Sequence, residues 1–440
     1  MVDKNANITK TCGKVYIFFF AWFLECLSST ILISVTVAFA QQEFGAVGVQ
    51  RGLIISIMAC THLIGNIVVG RISDKCDRRL VISGVFLSNA FFACLFGFSR
   101  DLLMLVVLRG FAGLLGTTPP LAYSLVTSLA PDIRLVAAIG TIHSVAFVVG
   151  PLLALALQKS LHISDHSSYF ARRSFFFLAS CLSLTSALFV FFGTKKNPLS
   201  PTPVTTTVDS LDSPPLPTPV TTTVHSPPPP PVAAATPKPL KVLKGLWQSG
   251  LGWLWLARLS ASWAQVTVTS TLSPLASEIS PDDALFVITV CNAVGGATCA
   301  LAQSLGYTFL EPKLGTYRVM EFSLVLMGIS FVFYFLVFRG LTVAVYIGHG
   351  LLWVGAGLFD ISMPTINRQK LELTNSSYFG LLNGVVMSFR SVSQILCPLI
   401  ANVLIADHKP LLYASGFAAC VFALGFALAA HRKKHLPIVF

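Results

Sequence analysis

Long apolar runs separated by short polar segments dominate this chain. A helix needs about 20 apolar residues, at about 1.5 Å per residue, to cross the hydrocarbon core of a bilayer. Six such runs precede a polar central segment and six follow it: 15–40, 49–69, 80–98, 102–126, 135–157 and 174–192, then 246–272, 284–305, 317–338, 341–364, 377–405 and 410–430. The pattern predicts an all-α membrane protein with 12 transmembrane helices in two six-helix bundles.

The central segment, 194–243, differs in kind from the runs on either side. Its 50 residues contain 14 of the 25 prolines, and PTPVTTTV occurs in it twice. Such a composition cannot form a packed core, so we predict an extended, disordered linker. It separates an N-terminal bundle, 1–193, from a C-terminal bundle, 244–440. A plain tether is the favoured interpretation, and a docking site for a proline-binding module is the alternative.

Composition excludes a soluble globular protein. Only 11% of the residues are charged, against about 25% in soluble domains. The net charge of +12 would suggest nucleic-acid binding in a soluble protein. If the N-terminus is cytoplasmic, however, 20 of the 30 Lys and Arg residues lie on the cytoplasmic side and 7 on the other. The positive-inside rule then places both termini and the linker in the cytoplasm, and we expect no nucleic-acid partner.

Catalytic and metal-binding patterns are missing from the sequence. Eight of the ten cysteines lie within apolar runs, with no spacing typical of metal ligands, so we expect buried free thiols. No phosphate-binding loop and no Ser/His/Asp set can be argued from the spacing. We therefore expect neither enzyme activity, nor a cofactor or bound metal, nor ATP-driven pumping.

The loop between the second and third runs carries a specific motif. It consists of Gly70, Asp74, Lys75, Arg78 and Arg79. A plain cytoplasmic loop would also be basic, but the spacing resembles the signature loop of the major facilitator superfamily, G-x-x-x-D-[RK]-x-G-[RK]-[RK]. Asp77 stands where that pattern has glycine. The resemblance implies that this loop latches the cytoplasmic side of the transporter in one state.

Two further segments resemble the same superfamily. In the fourth run, Arg109 and Gly113 match its arginine-bearing R-x-x-x-G-x-x-G segment, and in the fifth run Gly150 and Pro151 resemble the Gly-Pro motif of the drug:proton antiporter branch. The paired glycines that follow in that branch are absent. The resemblance implies the major facilitator fold with two pseudo-symmetric bundles, and helix-packing roles for Gly113, Gly150 and Pro151.

Ionisable side chains within the runs are candidates for proton coupling, because a charge at the bilayer centre costs at least about 2.5–3.5 kcal/mol. Glu25 lies near the midplane, where low-dielectric surroundings oppose its ionised form until water or a cation arrives. The resemblance implies that Arg109 senses the protonation of an acidic partner. His143 is the second proton-carrying candidate, since imidazole titrates near neutral pH. Structural roles for Glu25, as a kink cap or a permanent partner of an arginine, and for Arg109, in holding helix ends, remain open.

Arg258 and Arg390 are candidates for substrate binding. Two guanidinium groups in one cavity would suit a carboxylate or phosphate. Alternatively, one of them neutralises Glu25 and the other Asp360, which we expect to lie near the cytoplasmic end of its helix. With the fifth and eleventh runs aligned on their prolines, His143 falls opposite Arg390, and Glu25 and Arg258 lie at similar depths. We expect both pairs to face each other across a central cavity.

Aromatic and further histidine side chains in the runs are weaker candidates. Trp263 and Trp353 could stack on an aromatic or cationic substrate, although packing and interfacial anchoring are the favoured interpretation. His62 and His349 are expected to be structural hydrogen-bonding groups.

The sequence thus predicts a monomeric, multi-pass secondary active transporter of a small organic solute, coupled to protons, in the plasma membrane or an organelle membrane. Three arginines against one central glutamate favour an anionic or zwitterionic solute. The Gly-Pro resemblance instead favours a proton antiporter that exports lipophilic compounds. A facilitative uniporter, and a transporter-like receptor or scaffold acting through the Pro-rich linker, are the alternatives.

Overall fold

The computed structural model describes residues 2–46, 49–116, 118–129, 133–160, 169–193, 245, 247–280, 284–372, 379–404 and 408–436. The predicted linker, 194–243, lies outside the described residues, so both its state and the domain boundaries stay predictions. Within the described part the chain is helical and contains no β-strand.

The helices of the first half are α1 Val2–Phe44, α2 Val49–Lys75, α3 Arg78–Gly97, α4 Leu102–Leu115, α5 Pro119–Leu129, α6 Ile133–Ser160 and α7 Tyr169–Gly193. Those of the second half are α8 Leu251–Ile279, α9 Ala284–Leu301, α10 Tyr307–Leu314, α11 Thr316–Val337, α12 Ala344–Glu372, α13 Phe379–Leu404 and α14 Lys409–Arg432. A π-helical segment, Ala302–Gly306, joins α9 to α10 in one continuous span.

Ten spans in the described part are long and apolar enough to cross a membrane. Two further segments complete the predicted twelve. The fourth run is not one helix but two, α4 and α5, since Pro119 and Pro120 lack amide donors and disfavour a helical conformation before them. The seventh run forms α8, a helix of 29 residues that includes the charged Arg258.

The helices of each half pack against one another as a separate bundle. In the first half α1 packs against α6 and α7, and α2 against α4; in the second, α8 packs against α13 and α14, and α11 against α12. Two helix pairs make most of the contacts between the halves, α2 with α13 and α6 with α9, and smaller contacts join α6 to α12 and α5 to α13. The two main pairs are spans two with eleven and five with eight, so a pseudo-two-fold axis relates the two contacts.

Small and hydroxylated residues build the contact between α2 and α13. The Ser56 hydroxyl donates to the Ile395 carbonyl (3.0 Å), and the Ser388 hydroxyl donates to the Leu63 carbonyl (2.8 Å). A Cβ added at Gly384 would overlap the Asn66 carbonyl oxygen. Close approach and interhelical hydrogen bonds are the means by which helices associate in lipid, where the hydrophobic effect does not drive them together.

The related contact, between α6 and α9, uses the same chemistry. The Ser144 hydroxyl donates to Oε1 of Gln303 (3.0 Å). A Cβ at Gly296 would lie 2.9 Å from the Ser144 carbonyl oxygen, and one at Gly140 would lie 2.8 Å from Oε1 of Gln303. Both contacts between the halves therefore require small residues.

The glycines with predicted packing roles face neighbouring helices within the first half. A Cβ at Gly113 on α4 would overlap the Met58 carbonyl on α2, and one at Gly150 on α6 would overlap the Thr30 hydroxyl on α1. Pro151 follows within α6 and is buried. Thr30 itself donates to the Ala146 carbonyl (3.1 Å), which holds α1 against α6.

We expect Gly150→Ala to lower the thermal stability of the purified protein in detergent, by the equivalent of about 1–3 kcal/mol, because the added methyl group overpacks the α1–α6 contact. Gly84→Ala is the matched control, since nothing lies within 4 Å of a Cβ there and alanine favours a helix. Thr30→Ala should restore part of the loss. An unchanged melting temperature for Gly150→Ala would contradict the packing role.

Candidate functional site

Three charged side chains of the second half meet deep in the bundle. Arg258 on α8 forms a direct ion pair with Asp360 on α12. Arg390 on α13 interacts electrostatically with both. The guanidinium of Arg258 also lies over the ring of Phe359, 5.6 Å from its centroid. Arg258 is only 1% exposed, so its charge depends on Asp360 for neutralisation.

The expected position of Asp360 near a helix end is wrong. Helix α12 continues through Pro364 to Glu372, which places Asp360 near its middle. A proline inside a transmembrane helix is tolerated where neighbouring helices satisfy the freed backbone groups. Asp360 therefore belongs to the central cluster, and the sequence analysis undervalued it because it ended the tenth run at the proline.

Arg390 is the arginine of this cluster that lacks a direct partner. It makes neither a hydrogen bond nor an ion pair with any residue in the described part of the chain, although it is only partly exposed. Its electrostatic neighbours are Arg258, Asp360, Tyr123 and Cys299. Its positive charge is thus the one in the cluster that no carboxylate contacts directly.

The first half contributes three side chains that face this cluster. His143 on α6 interacts electrostatically with Arg390 and Asp360, as the alignment of the two halves predicted. Tyr123 on α5 has Asp360 and both arginines as neighbours. The side chain of His143 is exposed although it lies deep in the bundle, so an accessible space separates the halves here. The sequence analysis missed Tyr123, for which the chain carries no local signal.

The third of these side chains is His62 on α2. It lies close enough to Arg109 and to Arg390 to interact electrostatically with both. Its Nε2 atom is buried and has no hydrogen-bond partner in the described part. His62 therefore lies between an arginine of each half, where the sequence analysis expected an ordinary structural histidine.

Arg109 and Glu25 do not come together. Arg109 is 4% exposed, lies over the Phe96 ring and donates to the sulfur of Met58 (3.2 Å). Glu25 is 1% exposed, and its Oε1 accepts a hydrogen bond from Nδ2 of Asn89 (2.6 Å). Ser183 lies beside the same carboxyl group. Glu25 is therefore not the acidic partner of Arg109 in this conformation.

The similar depths of Glu25 and Arg258 predict that they face each other, and this prediction is wrong. Its partners Asn89 and Ser183 belong to α3 and α7, so the carboxyl group lies inside the first bundle. Oδ1 of Asn89 lies against Gly116, where a Cβ would come within 2.5 Å of it. Glu25 is therefore connected to the break between α4 and α5 rather than to the second half.

The two candidate tryptophans differ in position. Nε1 of Trp353 donates to Nε2 of His349 (2.9 Å), and Nδ1 of His349 bonds the Tyr334 hydroxyl (3.0 Å). The Trp353 ring lies 5.5 Å from that of Phe147 on α6, across the space between the halves. Nε1 of Trp263 instead donates to Ser415 on α14 (3.3 Å). Only Trp353 lies where it can contact a solute between the halves.

The signature loop joins the halves at one end of the bundle. Oδ2 of Asp74 accepts a hydrogen bond from the Leu381 amide at the start of α13 (2.9 Å), and Arg78 donates to the Ser124 carbonyl on α5 (2.9 Å). Arg78 also lies 3.7 Å from Asp74. The remaining motif residues are the buried Gly70, the exposed Lys75 and Arg79, which lies 5.3 Å from the Phe191 ring centroid.

Asp77 replaces the glycine of the usual motif without strain. Its φ is −60°, a value that any residue adopts, and its side chain accepts a hydrogen bond from the Arg79 amide (3.0 Å) as the N-cap of α3. An N-cap aspartate stabilises a helix start. The departure from the pattern therefore changes the cap of α3 and leaves the contacts of Asp74 intact.

A family model described as "Major Facilitator Superfamily" matches residues 18–398. The chain belongs to the Major Facilitator Superfamily. The predicted family and fold are thereby confirmed, and the protein is an integral, multi-pass membrane protein of a superfamily whose members carry small solutes across membranes.

Individual members of the superfamily resemble parts of the chain. It is 32% identical over 155 residues to the major facilitator-type transporter psiT2 of Psilocybe cyanescens, covering 33% of this chain and 29% of psiT2. It is 31% identical over 147 residues to the multidrug resistance protein MdtG of Salmonella paratyphi A, covering 33% and 35%. The chain thus spans about a third of the length of these curated relatives.

A solved structure matches almost throughout. The human organic anion transporter MFSD10 (TETRAN) superposes with a TM-score of 0.66 over 95% of this chain and 99% of that chain, at 17% sequence identity. At this identity the likeness shows the fold of the superfamily, with its two six-helix bundles.

We expect Asp74→Ala to loosen the closed end of the bundle, because it removes a charged acceptor whose hydrogen bond contributes about 1.5–3 kcal/mol. Spin labels at the exposed positions Arg71 and Gln369 should report a longer and broader distance by double electron–electron resonance. Asp77→Ala is the control in the same loop: it weakens the α3 cap but leaves this distance unchanged. Equal distances in all three proteins would contradict the latch role. The background lacks the cysteines that are exposed in the described part of the chain, Cys60, Cys76 and Cys181.

Proposed function

We propose that this protein is a secondary active transporter that moves a small organic anion across its membrane by alternating access. The observation that carries the proposal is the state of Arg390: it faces the other half of the protein, beside an accessible space, with no carboxylate in direct contact. The solute binds there, between the two halves, with His143 and Tyr123 on the opposite wall.

The balance of charge in the site favours an anion over a neutral lipophilic compound. Arg258 and Asp360 neutralise each other, which leaves the charge of Arg390. An uncompensated charge inside the bilayer costs at least about 2.5–3.5 kcal/mol, and a carboxylate offers a planar guanidinium two parallel hydrogen bonds. The human structural relative is named an organic anion transporter; at its low identity the charge balance, not this name, supports the proposal.

Alternating access is supported by the contacts between the halves at one end of the bundle. At the end that carries Asp74, the loop between α2 and α3 bonds to α13 and α5. We propose that this conformation is closed at the Asp74 end, which the distribution of basic residues assigns to the cytoplasm, and that transport requires Asp74 to release Leu381.

We propose Glu25 as the group that couples transport to protons. Its carboxyl group is buried beside Asn89 and Ser183, with no cation in contact among the described residues. Asn89 touches the break before α5, and α5 carries both Tyr123 at the solute site and Ser124 at the latch. A change in the ionisation of Glu25 thus acts on α5. Arg109 and His143 are secondary candidates, acting through His62 and directly on Arg390.

Two alternatives make different predictions. A facilitative uniporter would use the same solute site without responding to a pH gradient. A receptor or scaffold that acts through the Pro-rich linker would lose its function when residues 198–239 are deleted, whereas a transporter would largely tolerate that deletion.

We expect Arg390→Ala to reduce the uptake of organic anions into proteoliposomes at least about tenfold, because the anion loses its charged hydrogen-bonding partner. A panel of anionic, zwitterionic and neutral solutes is assayed with and without an imposed pH gradient. Arg100→Ala, at an exposed position, should transport like the wild type. Preferred uptake of neutral solutes, or full anion uptake by Arg390→Ala, would refute the proposed solute class.

For Glu25→Gln, we expect solute to equilibrate across the membrane without accumulating when a pH gradient is imposed, because glutamine can keep the hydrogen bond to Asn89 but cannot ionise. Counterflow in preloaded proteoliposomes measures the retained exchange. Glu278→Gln, which removes the peripheral partner of Lys409, should still accumulate solute. Proton-driven accumulation by Glu25→Gln would favour the uniporter or another coupling group.

A further inference from the structure

We propose that Asp360 is a built-in counter-ion that restricts the solute to a single negative charge. This inference rests on the proposed function, since it concerns the same site and the binding of an anion there. It names the substrate class more narrowly, as organic monoanions such as monocarboxylates, and gives Asp360 the role of selecting against dianions.

The net charge of the site follows from the charged side chains that line it. The formally charged side chains of the cluster are Arg258, Arg390 and Asp360. The other electrostatic neighbours carry imidazole, phenol and thiol groups, which are mostly uncharged at neutral pH; they are His62, His143, Tyr123 and Cys299. The described part of the site therefore carries one net positive charge, which a solute with one negative charge balances.

A solute meets these groups in an order that depends on how far each side chain is exposed. The side chain of Arg258 is 1% exposed, whereas that of Asp360 is 21% exposed. Arg258 is enclosed by Phe359 and by the sulfur of Met387, 4.0 Å from Nη2. Asp360 therefore covers Arg258 and presents its own negative charge to the accessible space.

A second anionic group on the solute would meet different surroundings from the first. Arg390 can bind one carboxylate, because no described residue forms a hydrogen bond or an ion pair with its guanidinium. A second carboxylate would need Arg258, which is already bonded to Asp360, and it would approach the negative charge of Asp360 itself. A site that leaves an incoming charge unpaired discriminates against the solute that carries it.

The role of counter-ion differs from that of a structural tie, that is, an ion pair that only holds α8 against α12. A structural tie requires only that the ion pair persists, whatever the charge of the solute. A counter-ion that sets selectivity makes the preferred solute charge follow the net charge of the site. The two roles therefore differ in the ratio of dicarboxylate to monocarboxylate uptake, which does not depend on how much folded protein each preparation contains.

The test compares three variants in proteoliposomes. Asp360→Asn gives the site a net charge of about +2 by this count, Arg258→Gln gives it about zero, and the double variant returns it to about +1. The probes are monocarboxylates and dicarboxylates that share a carbon skeleton, butyrate with succinate and 4-methylbenzoate with terephthalate. Glu278→Gln, which breaks an ion pair outside the cluster, is the control and should keep the wild-type ratio.

We expect the dicarboxylate-to-monocarboxylate ratio to rise about tenfold in Asp360→Asn, equivalent to about 1.4 kcal/mol of discrimination. The ratio should return to the wild-type value in the double variant and fall below it in Arg258→Gln. Should a single variant fail to fold with its buried charge unpaired, the order of the remaining proteins still tests the inference.

An unchanged ratio in folded Asp360→Asn, with both uptakes reduced alike, would overturn the counter-ion role while leaving the proposed function in place. A double variant that keeps the ratio of Asp360→Asn would do the same. Wild-type protein that transports neither member of either pair would overturn the proposed anion transport and this inference together.

Discussion

The cost of placing an ionised side chain in apolar surroundings governs the arrangement of this protein. Each buried cation must find an acceptor or a counter-ion. Arg258 is neutralised by Asp360, Arg173 donates to the Gly97 and Ser99 carbonyls, and Lys370 donates to three backbone carbonyls at the end of the second bundle. Within the cluster of Arg258, Asp360 and Arg390, the lack of a direct partner for Arg390 marks the position where we propose that a ligand supplies the missing charge.

The halves meet mainly through two pseudo-symmetric pairs of helices, whose contacts include small side chains and interhelical hydrogen bonds. Contacts of this kind let helices approach closely in lipid. The proposed solute site lies between these pairs. Movement of one half would therefore change the distance from His143 and Tyr123 to Arg390, on which we propose that solute binding depends.

Helix α5 links the three functional regions. It follows a break caused by proline, and Asn89 lies against this break. It places Tyr123 beside the charged cluster, and its Ser124 carbonyl accepts a hydrogen bond from Arg78 of the signature loop. A short helix next to a break can shift as a unit, so we propose that a change at Glu25, at the proposed solute site or at the latch reaches the other two through it.

Much of this architecture was determined by the sequence itself, because hydropathy, loop charge and short motifs are local properties. The spans, the superfamily and the close-packed glycines follow from neighbouring residues alone; the break before Pro119 was equally local and was overlooked. Only the tertiary structure decided that Arg258 pairs with Asp360, that Glu25 turns into its own bundle, and that Arg390 is left without a carboxylate. Partner choice depends on the rotation and crossing of whole helices, which distant packing contacts set and no local pattern encodes.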